Sequence, residues 1–167
     1  MTSTRRLGKA QLTSLSWFLA ALLTLATGSF SPPRAAVTER IITDRHTGLA
    51  MGGYDPVAYF TDARPKMGRP EFEYRLKGVI WRFSNEGNRD AFAENSAIYV
   101  PRFGGYDPVA IARGVAVPGN PTLWLVARER LYLFYSADAR ASFNADIAGA
   151  VAAADAAWPS VLQGIGP

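Results

Sequence analysis

An identical seven-residue repeat is the feature that most constrains the fold of this chain. Gly52–Ala58 read GGYDPVA, and Gly104–Ala110 carry the same seven letters 52 positions later. The same offset links the dipeptide Phe83-Ser84 to Tyr135-Ser136. Because self-similarity at a fixed spacing marks repeated structural units, we expect two halves that each contain the motif, a hairpin and a helix.

The segments that follow each motif carry strand patterns. Around a Lys77-Gly78 turn, apolar residues alternate with polar ones at Phe72, Tyr74, Leu76, Val79, Trp81 and Phe83. Such alternation predicts a β-hairpin. In the second half, residues 123–127 and 131–134 flank a turn near Arg128-Glu129 and are more continuously apolar. This second hairpin therefore suits the centre of a sheet.

Helix signals follow each hairpin. Ser84 and Ser136 can accept hydrogen bonds from the free N–H groups of a first helical turn, so both are predicted N-caps. The two predicted helices run through Arg89, Ala91 and Phe92 and through Ala139 and Phe143. The fold class is therefore α+β, with two β-hairpins forming a small antiparallel sheet with packed helices, which allows an internal two-fold repeat.

A last helix is predicted near the end of the chain. It begins at about Ile147, and Pro159 is expected to stop it. One apolar face would consist of Ile147, Val151, Ala154 and Trp158. Their spacing is that of an amphipathic helix packed on the core.

The first 36 residues carry the pattern of a secretion leader. Arg5 and Arg6 precede an apolar run at Trp17–Ala26, and prolines at 32 and 33 follow it. A membrane-spanning helix needs about 20 apolar residues, so cleavage of the leader is favoured over a permanent anchor. The protein would contact a membrane only through an uncleaved leader. We predict a leader at 1–36, a single domain at 37–167, and a periplasmic or secreted location.

Two details of the leader stay open. Ser3–Lys9 resembles a twin-arginine export signal, although an ordinary secretion signal also carries positive charge at this place. Small residues allow cleavage either near Ala26–Gly28 or near Ala35-Ala36.

Charge and cysteine content exclude several classes of function. The chain has 18 basic and 14 acidic residues, but four of the basic ones precede Val37, so the domain itself is neutral. Because phosphate binding by nucleic-acid partners needs a clustered basic face, we expect no nucleic-acid partner. The chain has no cysteine, which excludes disulfides, thiolate catalysis, iron–sulfur clusters and a lipoprotein anchor.

Each GGYDPVA motif has two interpretations. In the first it is a structural turn, because glycine allows positive φ, the aspartate accepts from backbone N–H groups two residues on, and proline fixes φ. In the second, two equivalent loops place Tyr54 and Asp55 together with Tyr106 and Asp107 around one shared cleft. The sequence leaves both interpretations open.

The only histidine is a candidate metal ligand. His46 lies just before the first motif, and imidazole is a common ligand and proton carrier near neutral pH. A metal site would need Asp55, Asp107 or Asp44 as further ligands, a set that suits zinc, iron or copper only loosely. The alternative is a hydrogen-bonded structural histidine.

Arg102 and Arg113 flank the second motif and are candidate ligand-binding residues. A planar guanidinium could bind a carboxylate or phosphate group, or could instead form an ion pair with Asp107. For catalysis, Ser84 and Ser136 are the available hydroxyls, but both are expected caps, and no G-x-S-x-G motif is present. We therefore assign no catalytic residue.

Further landmarks accompany the two motifs in a fixed order. They are GGYDPVAYF from Gly52, Trp81-x-Phe83-Ser84, Asn88-x-x-x-Phe92, Tyr99-x-Pro101, Phe103-Gly104-Gly105-Tyr106 and an Ala-rich helix ending at Trp158-Pro159. From about residue 47 to residue 162, this chain resembles the YHS-domain family.

The resemblance implies a small α+β domain, often exported and standing alone, with a metal-related role. Relatives often carry Cys after Gly-Gly-Tyr, where this chain has Asp107. If that Cys binds a soft metal in relatives, a carboxylate would favour a harder ion or abolish the site.

These observations lead to a hypothesis and two alternatives. We expect an exported, non-enzymatic domain that binds a small ligand or metal ion in a cleft between the two glycine loops, near His46. The first alternative is a protein-interaction module of the cell envelope that binds a partner protein and no ligand. The second is a hydrolase.

Overall fold

Residues 40–165 are the part of the chain that the computed structural model describes. They fall within a single compact unit. The predicted leader at 1–36, with its export signal and cleavage sites, lies outside the described residues.

The two halves of the described chain contain the same succession of elements. The first half has a 3₁₀ turn at Met51–Gly53, then α1 (Ala58–Thr61), β1 (Arg69–Leu76), β2 (Val79–Phe83) and α2 (Glu86–Tyr99). The second has a 3₁₀ turn at Arg102–Gly105, then α3 (Pro108–Ile111), β3 (Asn120–Ala127), β4 (Arg130–Phe134) and α4 (Ala137–Ala145). The closing helix is α5 (Ile147–Gly164).

Both predicted hairpins form, and the fold class is α+β. The two strands of each hairpin pair antiparallel, with Tyr74 opposite Trp81 in the first and Leu125 opposite Tyr132 in the second. Among the described residues the hairpins form two separate two-stranded sheets, so the expectation of one shared sheet is wrong. Each hairpin ends in a two-residue turn with positive φ, at Lys77-Gly78 and at Arg128-Glu129, as the right-handed twist of paired strands requires.

The second hairpin lies between two core clusters, which explains its continuously apolar sequence. Leu131 and Leu133 on one face of β4 belong to the first cluster, and Tyr132 and Phe134 on the other face belong to the second. Other large members are Trp81, Phe83 and Phe92 in the first cluster and Phe103, Phe143 and Trp158 in the second. Because side chains alternate along a strand, one strand serves both cores.

Matching hydrogen bonds join each motif to its hairpin. The Gly68 N–H donates to the Gly53 carbonyl at 2.9 Å, and the Gly119 N–H donates to the Gly105 carbonyl at 3.0 Å. A Cβ at Gly68 or Gly119 would come within 2.5 or 2.6 Å of the facing strand, so the chain approaches closely there. The two carbonyls, of Gly53 and Gly105, are 52 positions apart in the sequence, and the two N–H groups, of Gly68 and Gly119, are 51 apart. A two-fold axis between the halves stays a prediction.

One predicted N-cap is correct and the other is wrong by one residue. The Ser136 side chain accepts from the Ala139 N–H and caps α4, as expected. In α2 the cap is Asn85, whose side chain accepts from Asn88 N–H at 2.9 Å. Ser84 is not a cap because its hydroxyl donates to Asp55 instead.

The last helix continues past the proline that was expected to end it. Ala154 and Trp158 are buried in the second cluster, and Ile147 and Val151 pack against it, as predicted. Pro159 lies inside α5, which ends at Gly164. Burial of Val161 in the same cluster supplies a reason for the final turn to stay helical. Within the described part of the chain, no helix combines the length and apolarity needed to cross a bilayer.

Candidate functional site

The first motif's aspartate is buried and fully engaged with the protein. Asp55 is 0% exposed. Its Oδ1 accepts from the Val57 and Ala58 N–H groups at 2.9 and 3.3 Å. Its Oδ2 accepts from the Ser84 N–H and hydroxyl, both at 2.8 Å, and from the Asn88 amide at 2.7 Å. Five donors therefore surround a buried carboxylate, as its desolvation requires.

The second motif's aspartate repeats this role with fewer donors. Asp107 is 2% exposed. Its Oδ1 accepts from the Val109 and Ala110 N–H groups at 2.8 and 3.4 Å, and its Oδ2 accepts from the Tyr135 N–H at 2.9 Å. Asp107 thus caps α3, whereas Asp55 binds the two N–H groups that lead into α1, whose own N-cap is Val57. In both halves the carboxylate joins this segment to the residue that follows the hairpin.

The turn interpretation of the motif therefore describes both aspartates. Neither Asp55 nor Asp107 lines a cleft found among the described residues. Their lone pairs serve the backbone and two neighbouring side chains, which is a structural arrangement common for Asx turns.

The two glycine loops nevertheless converge on one cleft. Gly52 from the first loop and Gly104 and Gly105 from the second line the same concave space of about 230 Å³. Its walls are mostly apolar and include Ile42, Met51, Pro121 and Leu133. The two loops therefore meet, with glycine backbone rather than the motif carboxylates of Asp55 and Asp107 facing the space.

The two motif tyrosines have different surroundings. Tyr54 lines the cleft and is partly buried. Tyr106 packs against Trp158, with ring centroids 5.9 Å apart, and belongs to the second core. Burial raises the pKa of Tyr106, although the charge of Arg40 opposes this shift. Only one of the two repeats therefore presents its tyrosine to the cleft.

A carboxylate outside the motifs lies at the cleft. Asp44 lines it, and its Oδ1 accepts from the Thr47 hydroxyl and N–H, both at 2.8 Å, and from the His46 N–H at 3.1 Å. These hydrogen bonds, with that of the Thr47 hydroxyl the strongest, hold the pKa of Asp44 below its usual value. Asp44 is therefore a carboxylate, partly exposed, at the rim of an apolar space.

The predicted metal ligands do not form a set. His46 is exposed in the turn that follows Asp44, whereas Asp55 and Asp107 are buried in their own turns. Within residues 40–165 no group of three or more His, Cys, Asp or Glu side chains could hold a metal ion. The predicted set of His46, Asp55 and Asp107 does not fit a metal here, because both aspartates are buried and accept hydrogen bonds within their own turns while His46 is exposed elsewhere.

The two candidate arginines lie outside the cleft. Arg102 forms an ion pair with Asp155 of α5. The prediction that it pairs with Asp107 is therefore wrong. The Arg102 guanidinium also lies over the Phe103 ring, 5.0 Å from its centroid. Arg113 is exposed just after α3. Neither side chain lines the space between the glycine loops.

The hydroxyls considered for catalysis have structural contacts. Ser84 donates to Asp55, and Ser136 accepts from the Ala139 N–H. His46, the only available imidazole, is hydrogen bonded through its backbone to Asp44. The described residues therefore contain no hydroxyl–imidazole–carboxylate arrangement.

None of the family models, curated proteins or solved structures compared with this chain matches it. The resemblance to the YHS-domain family consequently rests on the motifs alone, and its bearing on function is a proposal.

The residues that shape the cleft were partly missed in the sequence. The sequence predicted Asp44 only as a further metal ligand beside His46, although an aspartate followed by a Thr at the third position is a recognisable Asx turn. Gly119, Pro121 and Leu133 come from the second hairpin. Their approach to the first loop depends on packing between the halves, and no local pattern predicts it.

Proposed function

We propose that this chain is an exported, non-enzymatic, YHS-like domain that binds a small organic ligand in the cleft between its two GGYDPVA loops. The observation that carries the proposal is the lining of one cleft by Gly52 and by Gly104 and Gly105. Paired glycines let a ligand approach the backbone closely, since no side chain intervenes.

The lining favours a ligand with an apolar body and one polar group. Ile42, Met51 and Leu133 supply an apolar wall, while Asp44 supplies a carboxylate and Tyr54 a phenol. A few placed polar groups in an apolar concavity are typical of small-molecule sites. Asp44 would accept from an amine or hydroxyl of the ligand, because its Oδ2 accepts no hydrogen bond from residues 40–165.

The cleft limits the size of the ligand. Its volume is about 230 Å³, below the ~300–1,000 Å³ of pockets for drug-sized molecules. The ligand is therefore a small metabolite. A metal ion is not part of the proposal, because the donors at the cleft are too few and those in the motifs are already used.

The proposal is tested on protein recovered from its native compartment. Native mass spectrometry should show one bound small molecule per chain, and a panel of small amines and alcohols with apolar bodies should raise the melting temperature. A bare protein that responds to no compound in the panel would contradict it.

Two matched pairs of variants place the ligand. Tyr54→Phe should weaken binding, whereas Tyr106→Phe, the same change in the second repeat, should not. Gly52→Asn should narrow the cleft, while Gly114→Asn is its control, since both glycines have positive φ and open space where a Cβ would lie and Asn tolerates that conformation. Equal losses within a pair would place the ligand elsewhere.

The export part of the proposal has its own measurement. The protein should be found outside the cytoplasm, and sequencing of its N-terminus should start just after Ala26–Gly28 or Ala35-Ala36. An N-terminus at residue 1 or 2 on a cytoplasmic protein would contradict export without touching the ligand site.

A further inference from the structure

A second cleft is lined by basic side chains and shares no residue with the cleft between the glycine loops. It has a volume of about 250 Å³ and is lined by Lys77, Arg102, Arg130 and Ser96. The other lining residues are Leu76, Ala97 and Val100. Within the described part of the chain, no acidic side chain lines this basic cleft.

The three cations come from distant parts of the sequence. Lys77 lies in the β1–β2 turn, Arg102 in the 3₁₀ turn before the second motif, and Arg130 at the first position of β4. The fold therefore concentrates positive charge in a domain whose sequence is neutral overall. Like charges in one concavity repel one another, so the arrangement favours a bound anion.

Internal partners compensate only part of this charge. Asp155 pairs with Arg102, and it is the only carboxylate within residues 40–165 that forms an ion pair with any of the three cations. Arg130 donates to the Ala97 carbonyl near the end of α2, a neutral acceptor. Lys77 and Arg130 therefore have no carboxylate partner within residues 40–165.

Two of the cations are held in place by contacts with the protein. The hydrogen bond to Ala97 orients the Arg130 guanidinium. The Phe103 ring, over which the Arg102 guanidinium lies at 5.0 Å, orients that of Arg102. A guanidinium fixed in this way presents its remaining N–H groups to an anion with little loss of side-chain entropy.

We propose that the basic cleft binds a small oxyanion, a phosphate or carboxylate group of a soluble molecule. The guanidinium N–H groups would donate to its oxygens, the Lys77 ammonium would add a point charge, and the Ser96 hydroxyl would donate a further hydrogen bond. The charges of Lys77 and Arg130 match a dianion. Anions of this kind are unrelated to the ligand of the glycine-loop cleft, so either proposal can fail alone.

The test is a titration of the purified full chain with inorganic phosphate and, separately, with citrate. Ionic strength is held constant with sodium chloride. Amide shifts in the NMR spectrum should saturate for Lys77, for residues 96–100 and for Arg102, and the tighter probe identifies the preferred headgroup. Equal shifts with chloride alone, or no saturation with either probe, would overturn the proposal.

A matched pair of turn variants separates a built site from general charge attraction. Lys77 and Arg128 occupy the same position of the two hairpin turns, with φ of 52° and 49°, where Asn is well tolerated. Lys77→Asn should weaken anion binding by about tenfold. Arg128→Asn removes one charge from an equivalent turn outside the cleft and should leave binding unchanged. Similar effects of both variants would overturn the proposal.

A third variant should change the affinity in the opposite direction. Asp155→Asn removes the carboxylate that competes for Arg102, so the anion should bind more tightly, by about threefold or more. Asp155 is exposed, so the variant is expected to fold. Weaker or unchanged anion binding in Asp155→Asn would show that Arg102 does not meet the anion.

Discussion

Asp55 and Asp107 perform the same structural task with different numbers of donors. Asn at position 55 keeps the oxygen that accepts from Val57 and Ala58, but turns an amide toward the three donors around Oδ2. We expect Asp55→Asn to lower the free energy of unfolding by about 3 kcal/mol or more. Asp107→Asn should cost only about 1–3 kcal/mol, because a single backbone N–H faces its Oδ2.

Urea unfolding followed by tryptophan fluorescence measures both values. Asp62→Asn is the control, since Asp62 forms a partly exposed ion pair with Lys66 and such pairs contribute about 1 kcal/mol or less. Unchanged stability of Asp55→Asn together with lost ligand binding would contradict the structural role and restore the carboxylate to the site.

The first glycine of the motif, Gly52 in one half and Gly104 in the other, should tolerate substitution by alanine differently. Gly52 has φ of 60° and open space where a Cβ would lie, so Gly52→Ala carries only the cost of a left-handed conformation, about 1 kcal/mol. At Gly104, φ is 65° and a Cβ would overlap the Arg40 carbonyl oxygen. Gly104→Ala should therefore destabilise the domain by about 2–4 kcal/mol.

This prediction is checked by the difference between the two alanine variants in thermal unfolding. The Ile42 N–H donates to the Gly104 carbonyl at 2.9 Å, so the clash would also displace the segment that begins at Arg40. Equal melting temperatures would mean that this segment does not pack on the second glycine loop.

At the scale of elements, the proline inside α5 gives a test of helix energetics. Pro159 is exposed, so removing its ring loses little packing. An alanine would restore the N–H that can donate to the Asp155 carbonyl one turn earlier. We expect Pro159→Ala to stabilise the domain by about 1–3 kcal/mol, measured as a higher urea midpoint. A lower midpoint would indicate that the proline shapes a bend on which Trp158 or Val161 depends.

Local patterns predicted the elements, and contacts between distant residues caused the errors. Alternation of apolar residues is a local property, so both hairpins and their turns were found. Ser84 and Asn85 are both good N-caps, and the choice between them depends on Asp55, a residue 29 positions earlier that takes the Ser84 hydroxyl. In the same way, Val161 holds the end of α5 against the core and outweighs the local effect of Pro159.

The candidate site was predictable to a similar extent. The repeated glycines indicated two equivalent loops, and these do line one cleft. Burial of Asp55 and Asp107 follows from how tightly each turn packs on its hairpin, which residue type alone does not reveal. Arg102 and Asp155, which form an ion pair, are 53 positions apart in the sequence, and no periodic pattern predicts such a pair.

At the scale of the whole molecule, the halves are joined through Tyr59 and the second hairpin. The Tyr59 ring packs edge-on against Trp124, with centroids 5.2 Å apart, and its hydroxyl donates to the Pro121 carbonyl at 2.9 Å. Burial raises the pKa of Tyr59 well above its usual value, with smaller contributions from Tyr54 and Asp55. Tyr59, which joins the first half of the chain to the second hairpin, therefore also links the stability of the domain to alkaline pH.

The coupling predicts alkaline destabilisation of the domain. Above pH of about 10, unfolded chains release the tyrosine proton, while the folded domain keeps it on Tyr59 because its pKa is raised. The unfolded state then binds fewer protons, so the free energy of unfolding is unaffected below that pH and falls as pH rises through it. The slope for one such group is up to about 1.4 kcal/mol per pH unit, and the raised pKa values of Tyr106 and Tyr132 act in the same direction.

Tyr59→Phe separates this effect from simple loss of a contact. At pH 7 the variant should lose about 1 kcal/mol, because the Pro121 carbonyl no longer receives its hydrogen bond. Between pH 10 and 12 it should lose stability less steeply than the parent, since one proton fewer is linked to unfolding. Urea titrations at pH 7, 10, 11 and 12 measure both effects. Parallel curves above pH 10 would mean that the Tyr59 hydroxyl meets water in the folded domain, and that the junction between the halves is more open than the packing of Tyr59 on Trp124 implies.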